Sequence, residues 1–459
     1  MEKFESYIFT ALLSVNFLIS CLIFSRITRE QRNPYMDEIF HVPQAQKYCH
    51  GKFSEMLWLL LQWDPMITTL PGLYLVTVGV VKPVAWLSGL PGSVVCSPAM
   101  LRFINLLFNC GNFYLFYLLI CKLHHREKTH AASRRVLSAL SLSTFPVLYF
   151  FTFLYYTDSG STFFILFAYL MTLYGCHKTS AFLGGCSVLF RQTNIIWVAF
   201  CAGTLVAAKL DEAWKAAHVK KRDEKAPSYV PLTFGGVKKV TFFLFSSLSP
   251  VKAALFVAWP YVVVGTGFLG FVAMNNGIVV GDRTSHEVCL HFPRYHRVRR
   301  FFQALKKRPL FFLSLACVAS LLVWRFTYVH SYLLADNRHF PFYVWKRIFQ
   351  KHELMRFVLV PAYVFAGWNF ADSFKTRSLF WHLAFWTCLL AATVPQKLLE
   401  FRYFIVPYLM YRLHLPLSSL PRLILEFLLY TAVNAATLYI FITKTFQWPD
   451  SSETQRFMW

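Results

Sequence analysis

Apolar runs of roughly bilayer length recur from one end of this chain to the other, at residues 7–24, 66–89, 101–121, 136–156, 161–176, 181–210, 251–274, 309–324, 354–371, 379–394 and 423–443. A bilayer core leaves no water to satisfy exposed backbone, so a chain with runs of this kind folds as a helix bundle. Composition agrees: 56% hydrophobic, 18% aromatic and only 15% charged residues, with mean hydropathy +0.44, are too apolar for a soluble domain of 459 residues. A net charge of +24 would ordinarily point to nucleic acid. Here Lys and Arg crowd into short connections between apolar runs, as the positive-inside rule requires, so membrane lipid is the expected surroundings and no nucleic-acid partner is expected. The expected fold is an all-α polytopic membrane protein, a single integral membrane domain over 1–459 with about ten to twelve helices.

No small-residue cleavage site follows the first run, which therefore reads as a retained membrane helix. Residues 25–65 form the opening loop. The segment Lys122 to Arg135 carries Lys122, Arg126, Lys128, Arg134 and Arg135 against Glu127 alone, and residues 209–239 are a second basic loop; both read as cytosolic. Strict alternation would put the first of these on the opening-loop side, unless residues 66–89, interrupted by Pro71-Gly72 and Lys82-Pro83, fail to cross. A second conflict lies downstream. Only the run 309–324 separates Asp282-Arg283 from Asp336-Asn337-Arg338-His339, and the basic stretch 294–308 cannot span hydrocarbon. The eleven cysteines show no CxxC or Cys/His pairing. Cys49 and Cys289 fall in loops that face an oxidising compartment, which leaves a bond between them open.

Carboxylates are scarce, with 22 Asp and Glu against 46 Lys and Arg, and three of them cluster in the opening loop as Asp37, Glu38 and Asp64. A base that deprotonates a hydroxyl nucleophile needs such a carboxylate on a loop anchored by rigid helices. Asp37 and His41 share helical i, i+4 spacing, and Pro43 places the start of that helix near itself, with the acidic pair at its N-terminal end. The acidic pair also suits the helix dipole, as the lesser alternative, and Asp64 before Pro65 serves equally well as turn chemistry. Further on, Arg191-Gln192-Thr193-Asn194 interrupts an apolar run near the far interface, where a cation is costly and marks function by default, the alternative being an arginine that snorkels from a helix end. Arg338-His339 and Arg402 sit beside apolar runs; each alone reads more readily as a headgroup-facing anchor, but together with the acidic loop they suit a lipid-linked phosphate, since guanidinium grips phosphate oxygens bidentately. No Walker loop, GxGxxG, DxD or HExxH is present, so no soluble nucleotide donor, cofactor or metal site is expected. The competing reading is a transporter or a non-catalytic accessory membrane protein.

At these residues the chain resembles a known family. YMDEIFHVPQAQ, QWDPMITTLPGLYL, FRQTNIIWV, GDRTSHE, LLADNRHFPFYVWKR and VPQKLLEFRYFIVPY are similar to the eukaryotic endoplasmic-reticulum alpha-1,2-glucosyltransferases of the DIE2 type, which add the last glucose to the dolichol-linked oligosaccharide. The resemblance implies a GT-C-like multi-span bundle with a catalytic first lumenal loop in the endoplasmic reticulum membrane. It implies dolichyl-phosphate-glucose as donor, Glc2Man9GlcNAc2-diphosphodolichol as acceptor, and inversion at the anomeric carbon. On that reading Asp37 is the general base with Glu38 the second choice, and Arg338, His339 and Arg402 hold the donor phosphate. His41, Trp63, Asp64, Arg191, Gln192, Asp282 and Arg283 line the substrate pocket. The chain departs from the family pattern at Glu55 to Leu61, which enlarges the opening loop. It departs again after Pro293, where Arg294-Tyr295-His296-Arg297 replaces an apolar helix; an inactive form lacking one helix is the corresponding alternative.

Overall fold

The computed structural model describes residues 3–51, 64, 66–125, 132–219, 249–275, 277–278, 296–327, 336–374, 377–394, 400–449 and 452–459. Trp63, Asp282, Arg283, Cys289, the departures at residues 55–61 and just after Pro293, and most of the 209–239 loop lie outside them. The described residues are helical apart from one short hairpin and the connecting turns. Among them, six helices are long and apolar enough to cross a membrane, or seven if a pair bent by 70° at Ala258 counts as one. The expectation of about ten to twelve had counted shorter apolar helices as spans as well. The contacts divide the chain into two compact units.

The first unit comprises Met1–Val206, Lys252–Thr284 and Ile405–Lys444. Its helices in chain order are α1 (Lys3–Glu30), α2 (Glu38–Cys49), α3 (Gly72–Ser88), α4 (Gly92–Val95), α5 (Pro98–Leu123), α6 (Ala132–Ser143), α7 (Pro146–Phe151), α8 (Asp158–Leu173), α9 (His177–Phe190) and the first half of α10 (Ile195–Val219). Most of α11 (Ser249–Val257) and all of α12 (Trp259–Asn275) also belong to it. Several boundaries correct the sequence reading. α2 begins at Glu38 and carries Pro43 inside it, so the helix starts five residues before the proline. The run 136–156 is two helices, because Pro146 has no amide to continue α6 and holds Phe145 in a non-helical conformation. α10 continues to Val219, so residues 209–219 are helix where the basic loop was expected to begin.

Both ends of this bundle are identified by buried ion pairs. Near the start of α1, Glu5 accepts hydrogen bonds from Arg135 at 2.9 and 2.5 Å and from the Tyr117 hydroxyl at 3.1 Å. That end therefore holds the beginnings of α1 and α6 and the end of α5. At the other end Arg102, in the first turns of α5, meets Glu38 in the first turn of α2. A disulfide joins Cys49, the last residue of α2, to Cys96 just before α5, with Cα atoms 6.5 Å apart. The chain thus leaves the opening loop into α3 and is returned to the same end before α5 begins. Residues 66–89 fail to cross, which is the condition that places Lys122 to Arg135 opposite the opening loop. The Cys49–Cys96 bond also replaces the Cys49–Cys289 pairing considered from sequence. Gln46 in α2 donates to the Cys96 carbonyl at 3.2 Å, so the two segments are already docked where the sulfurs meet.

The second unit comprises Ala207–Val251, Ser285–Phe404 and Thr445–Trp459. It holds α13 (His296–Lys307), α14 (Pro309–Phe326), α15 (Phe340–Arg347), α16 (Val360–Phe374) and α17 (Leu379–Thr393). Phe301 of α13 packs on Phe312, Phe365 and Trp368, while Lys306 and Lys307 face outward, so this basic stretch lies along its neighbours instead of spanning. Beyond α18 (Ile405–His414) and α19 (Leu420–Thr443), which belong to the first unit, the chain ends in a β-hairpin of β1 (Thr445–Gln447) and β2 (Thr454–Arg456), antiparallel with Phe446 opposite Gln455.

Candidate active site

α5 supplies the platform. Ser97 caps it by accepting from the Met100 amide, and Pro98 starts it without leaving an unpaired donor. One face of this otherwise apolar helix carries Arg102, Asn105, Asn109 and Asn112, all buried. The Arg102 guanidinium binds Glu38 with two bonds of 2.8 and 2.6 Å, and both side chains are wholly shielded from solvent. Glu38 also accepts from the Tyr35 amide at 3.0 Å and the Tyr155 amide at 2.6 Å. Asn105 donates to the carbonyls of Leu154 and Tyr156, each at 2.7 Å, and Asn112 to that of Ser159 at 3.0 Å. The turn between α7 and α8 is thus pinned to α5 by side chains that replace the helical bonds it lacks.

Asp37 sits at the N-terminal boundary of α2, half-buried, where its carbonyl accepts from the His41 amide at 3.0 Å. Its amide donates to the Tyr156 hydroxyl at 3.2 Å. Before it, Met36 adopts φ 56°, the one left-handed non-glycine residue among those described. Side chains with a Cβ rarely hold that conformation unless their surroundings impose it, and such positions concentrate at functional sites. His41 lies one turn along α2, its Nδ1 2.5 Å from the Tyr74 hydroxyl on α3. Asp64 accepts from the Met66 amide at 2.9 Å, forming the turn that its place before a proline suggested.

The polar break after α9 closes the cluster. Arg191 is extended at φ −147° and ψ 120°, and its guanidinium lies 3.1 Å from Asp158 and 3.3 Å from the Thr157 hydroxyl. Gln192 donates to the Thr68 carbonyl at 2.8 Å. Asp158 opens α8, where a carboxylate is favoured by the helix dipole. Gly72, at the start of α3, allows this convergence: a Cβ there would lie 2.7 Å from the Leu189 carbonyl carbon.

The first unit therefore brings together Asp37, Glu38, His41, Asp64, Arg191 and Gln192 of the residues chosen from sequence. Arg338, His339 and Arg402 belong to the second unit. There Arg338 binds Asp336 at 2.8 Å, donates to Gln455 at 3.1 Å and lies over the Trp448 ring at 4.7 Å. His339 Nδ1 is 2.6 Å from the Trp459 carbonyl oxygen, and the next strand-like contact runs from the Met458 amide to the Arg338 carbonyl at 2.9 Å. Arg402 pairs with Glu400, and the neighbouring Phe401 ring packs on Trp459. Burial of Asp336 works to raise its pKa, but hydrogen bonds and charge from Arg338 and His339 outweigh it and hold the carboxyl below its ordinary value.

Sequence reasoning missed Arg102, Asn105 and Asp158. A lone arginine inside an apolar run, followed by asparagines at helical spacing, was the available signal for the first two.

Comparison with known proteins gives consistent results. Residues 31–413 match the model of the DIE2/ALG10 family. A Mus musculus protein named Dol-P-Glc:Glc(2)Man(9)GlcNAc(2)-PP-Dol alpha-1,2-glucosyltransferase is 56% identical over the full length of both chains. Homo sapiens and Arabidopsis thaliana proteins of the same name are 54% and 32% identical, the latter over 93% of this chain and 95% of its own. No solved structure matches.

Proposed function

The chain belongs to the DIE2/ALG10 family, and from that premise we propose that it transfers glucose from dolichyl-phosphate-glucose to Glc2Man9GlcNAc2-diphosphodolichol in alpha-1,2 linkage, with inversion. The observation that carries this reading is 53 to 56% identity across the whole chain to proteins of that name. The enzyme works in the endoplasmic reticulum membrane with its site on the lumenal side. The Cys49–Cys96 disulfide supports that placement, because such bonds persist in oxidising compartments.

Inversion means one in-line displacement. The acceptor 2-hydroxyl bonds to the anomeric carbon as the bond to the phosphate oxygen breaks, and dolichyl phosphate leaves with that electron pair. A base must take the hydroxyl proton, and cations must meet the charge growing on the phosphate. Asp37 is the base. An ionised carboxylate has about four lone-pair sites, and those of Glu38 are met by two Arg102 nitrogens and two amides. Glu38 has no site left for a substrate proton, so it is a holding group. Asp64 spends one oxygen on its turn. Arg338, His339 and Arg402 serve the donor phosphate, exchanging part of their contact with Asp336 and Glu400 for phosphate oxygens. Removing one such cation raises the barrier by about 2.7 to 4 kcal/mol. His41, Asp64, Arg191 and Gln192 line the substrate pocket on this reading.

The test is glucose transfer between the two dolichol-linked substrates by purified wild-type chain and by Asp37→Asn. Transfer by the first and a loss of about 10²- to 10⁴-fold in the second, with folding intact, is the expected result. A folded wild-type chain without transfer would reject the enzyme, and an active Asp37→Asn would move the base to Asp64.

A further inference from the structure

We propose that Arg102 is the positioning residue of the base: through Glu38 it fixes the main chain on both sides of Asp37. This rests on the assignment of Asp37 above and extends it to a residue that touches neither substrate. The guanidinium reaches four acceptors from one buried point. Nε and Nη2 take the two Glu38 oxygens, Nη1 donates to the Gln31 carbonyl at 2.5 Å, and Nη2 also donates to the Asn33 carbonyl at 3.0 Å. Glu38 passes the constraint on to the amides of Tyr35 and Tyr155. The link that ends α1, the residue two before Asp37, the residue after it and the opposing turn are therefore all held by one ion pair. Met36 and Asp37 are the two residues suspended between its anchor points.

Two independent features say that this pair serves geometry. The first is Met36 at φ 56°, a conformation that a residue with a Cβ keeps only when its neighbours are fixed on either side. The second is cost. An ion pair with both partners at 0% exposure sacrifices the hydration of two charges, and apolar replacements of such pairs are often as stable or more so. Stability alone does not account for it. Lysine cannot substitute, because three donors on one nitrogen do not span a carboxylate and two carbonyls as the planar fork does. Asn105, one turn further along α5, holds Leu154 and Tyr156 in the same way, and the Tyr156 hydroxyl receives the Asp37 amide.

The experiment measures kcat and donor KM per folded molecule in the full-length chain for wild type, Arg102→Lys, and the paired variant Glu38→Leu with Arg102→Met. Asp37→Asn is the reference. Arg102→Lys is expected to lose about 100-fold in kcat, the effect of displacing a catalytic group by about an ångström, while donor KM stays within about 2-fold. The paired variant avoids an uncompensated charge but leaves four main-chain groups unpaired, so its folded fraction is expected to fall, and its kcat per folded molecule to drop to within about 10-fold of Asp37→Asn. It removes both charges together, so it carries the test if the lysine variant does not fold. Wild-type kcat per folded molecule in the paired variant, or a lysine variant that merely lowers the folded fraction, would overturn the proposal. Neither result touches the glucosyltransferase reading, which fails only if the wild-type chain transfers no glucose.

Discussion

Breaking the Cys49–Cys96 disulfide is the perturbation whose size follows most directly from the structure. The bond closes a loop of sequence separation 47 that contains the second half of the opening loop, α3 and α4. Chain entropy alone assigns such a loop about 4 kcal/mol at 25 °C, roughly a thousandfold in the folding equilibrium. Helices of a membrane chain persist in micelles, so the opened loop has fewer conformations to gain and the measured loss falls below that figure. Cys49→Ser and Cys96→Ser are each expected to lower thermal stability in detergent by the same amount, with no further loss in the double variant. Cys289→Ser is expected to leave it unchanged. Counting thiols with a polymer-linked maleimide checks the pairing itself. In the folded, unreduced wild type Cys49 and Cys96 are both blocked, and reductant exposes both. Labelling of Cys49 without reductant, or its release by Cys289→Ser, would refute the reasoning and restore the alternative pairing.

Gly72→Ala is expected to cost about 1 to 3 kcal/mol, because the new methyl would meet Leu189 main chain at 2.7 and 2.8 Å, which cannot swing away as a side chain would; an unchanged melting temperature would mean that α3 does not abut α9 so closely. Asp336 gives a pH prediction. Its folded pKa is depressed, so its contribution to the docking of the C-terminal tail is fully present above the unfolded value near pH 4 and is lost as pH falls through the folded value. Exchange protection of the Phe340 and Met458 amides, which form the bridge between the two segments, should therefore fall on acidification in wild type but not in Asp336→Asn, where it is weak throughout. The same pH dependence in both chains would refute the assignment.

Much of this was legible in the residues. Charge bias correctly set Lys122 to Arg135 against the opening loop, and the same argument required residues 66–89 not to cross. The i, i+4 spacing of Asp37 and His41 and the turn role of Asp64 also emerged as geometry. What stayed hidden depends on partners distant in sequence. Nothing local distinguishes Asp37 from Glu38; the difference is made by Arg102, 64 residues away from Glu38. Cys96 looked like one more thiol near apolar sequence, and only the docking of α2 against the start of α5 sets it beside Cys49. Pro43 marked a helix start too late, because a proline is tolerated inside a helix where packing supplies the remaining stability.

The cost of the site is carried by α5. A helix in a bundle gains most by burying apolar side chains, yet this one commits Arg102, Asn105, Asn109 and Asn112 to a single face. The segment from Thr152 to Thr157 explains the commitment for two of them. It has left helical geometry inside the bundle, and a carbonyl or amide stranded there costs several kcal/mol. Asn105 takes the Leu154 and Tyr156 carbonyls, and Glu38, held by Arg102, takes the Tyr155 amide. Only because these groups are satisfied can the turn stay open beside Asp37 with Thr157 and Asp158 turned toward Arg191. An apolar α5 would pack well and would draw the turn back into helix, removing the surface against which Asp37 is held. The polar stripe and Glu38 are therefore one device, the frame that the proposed chemistry of Asp37 relies on.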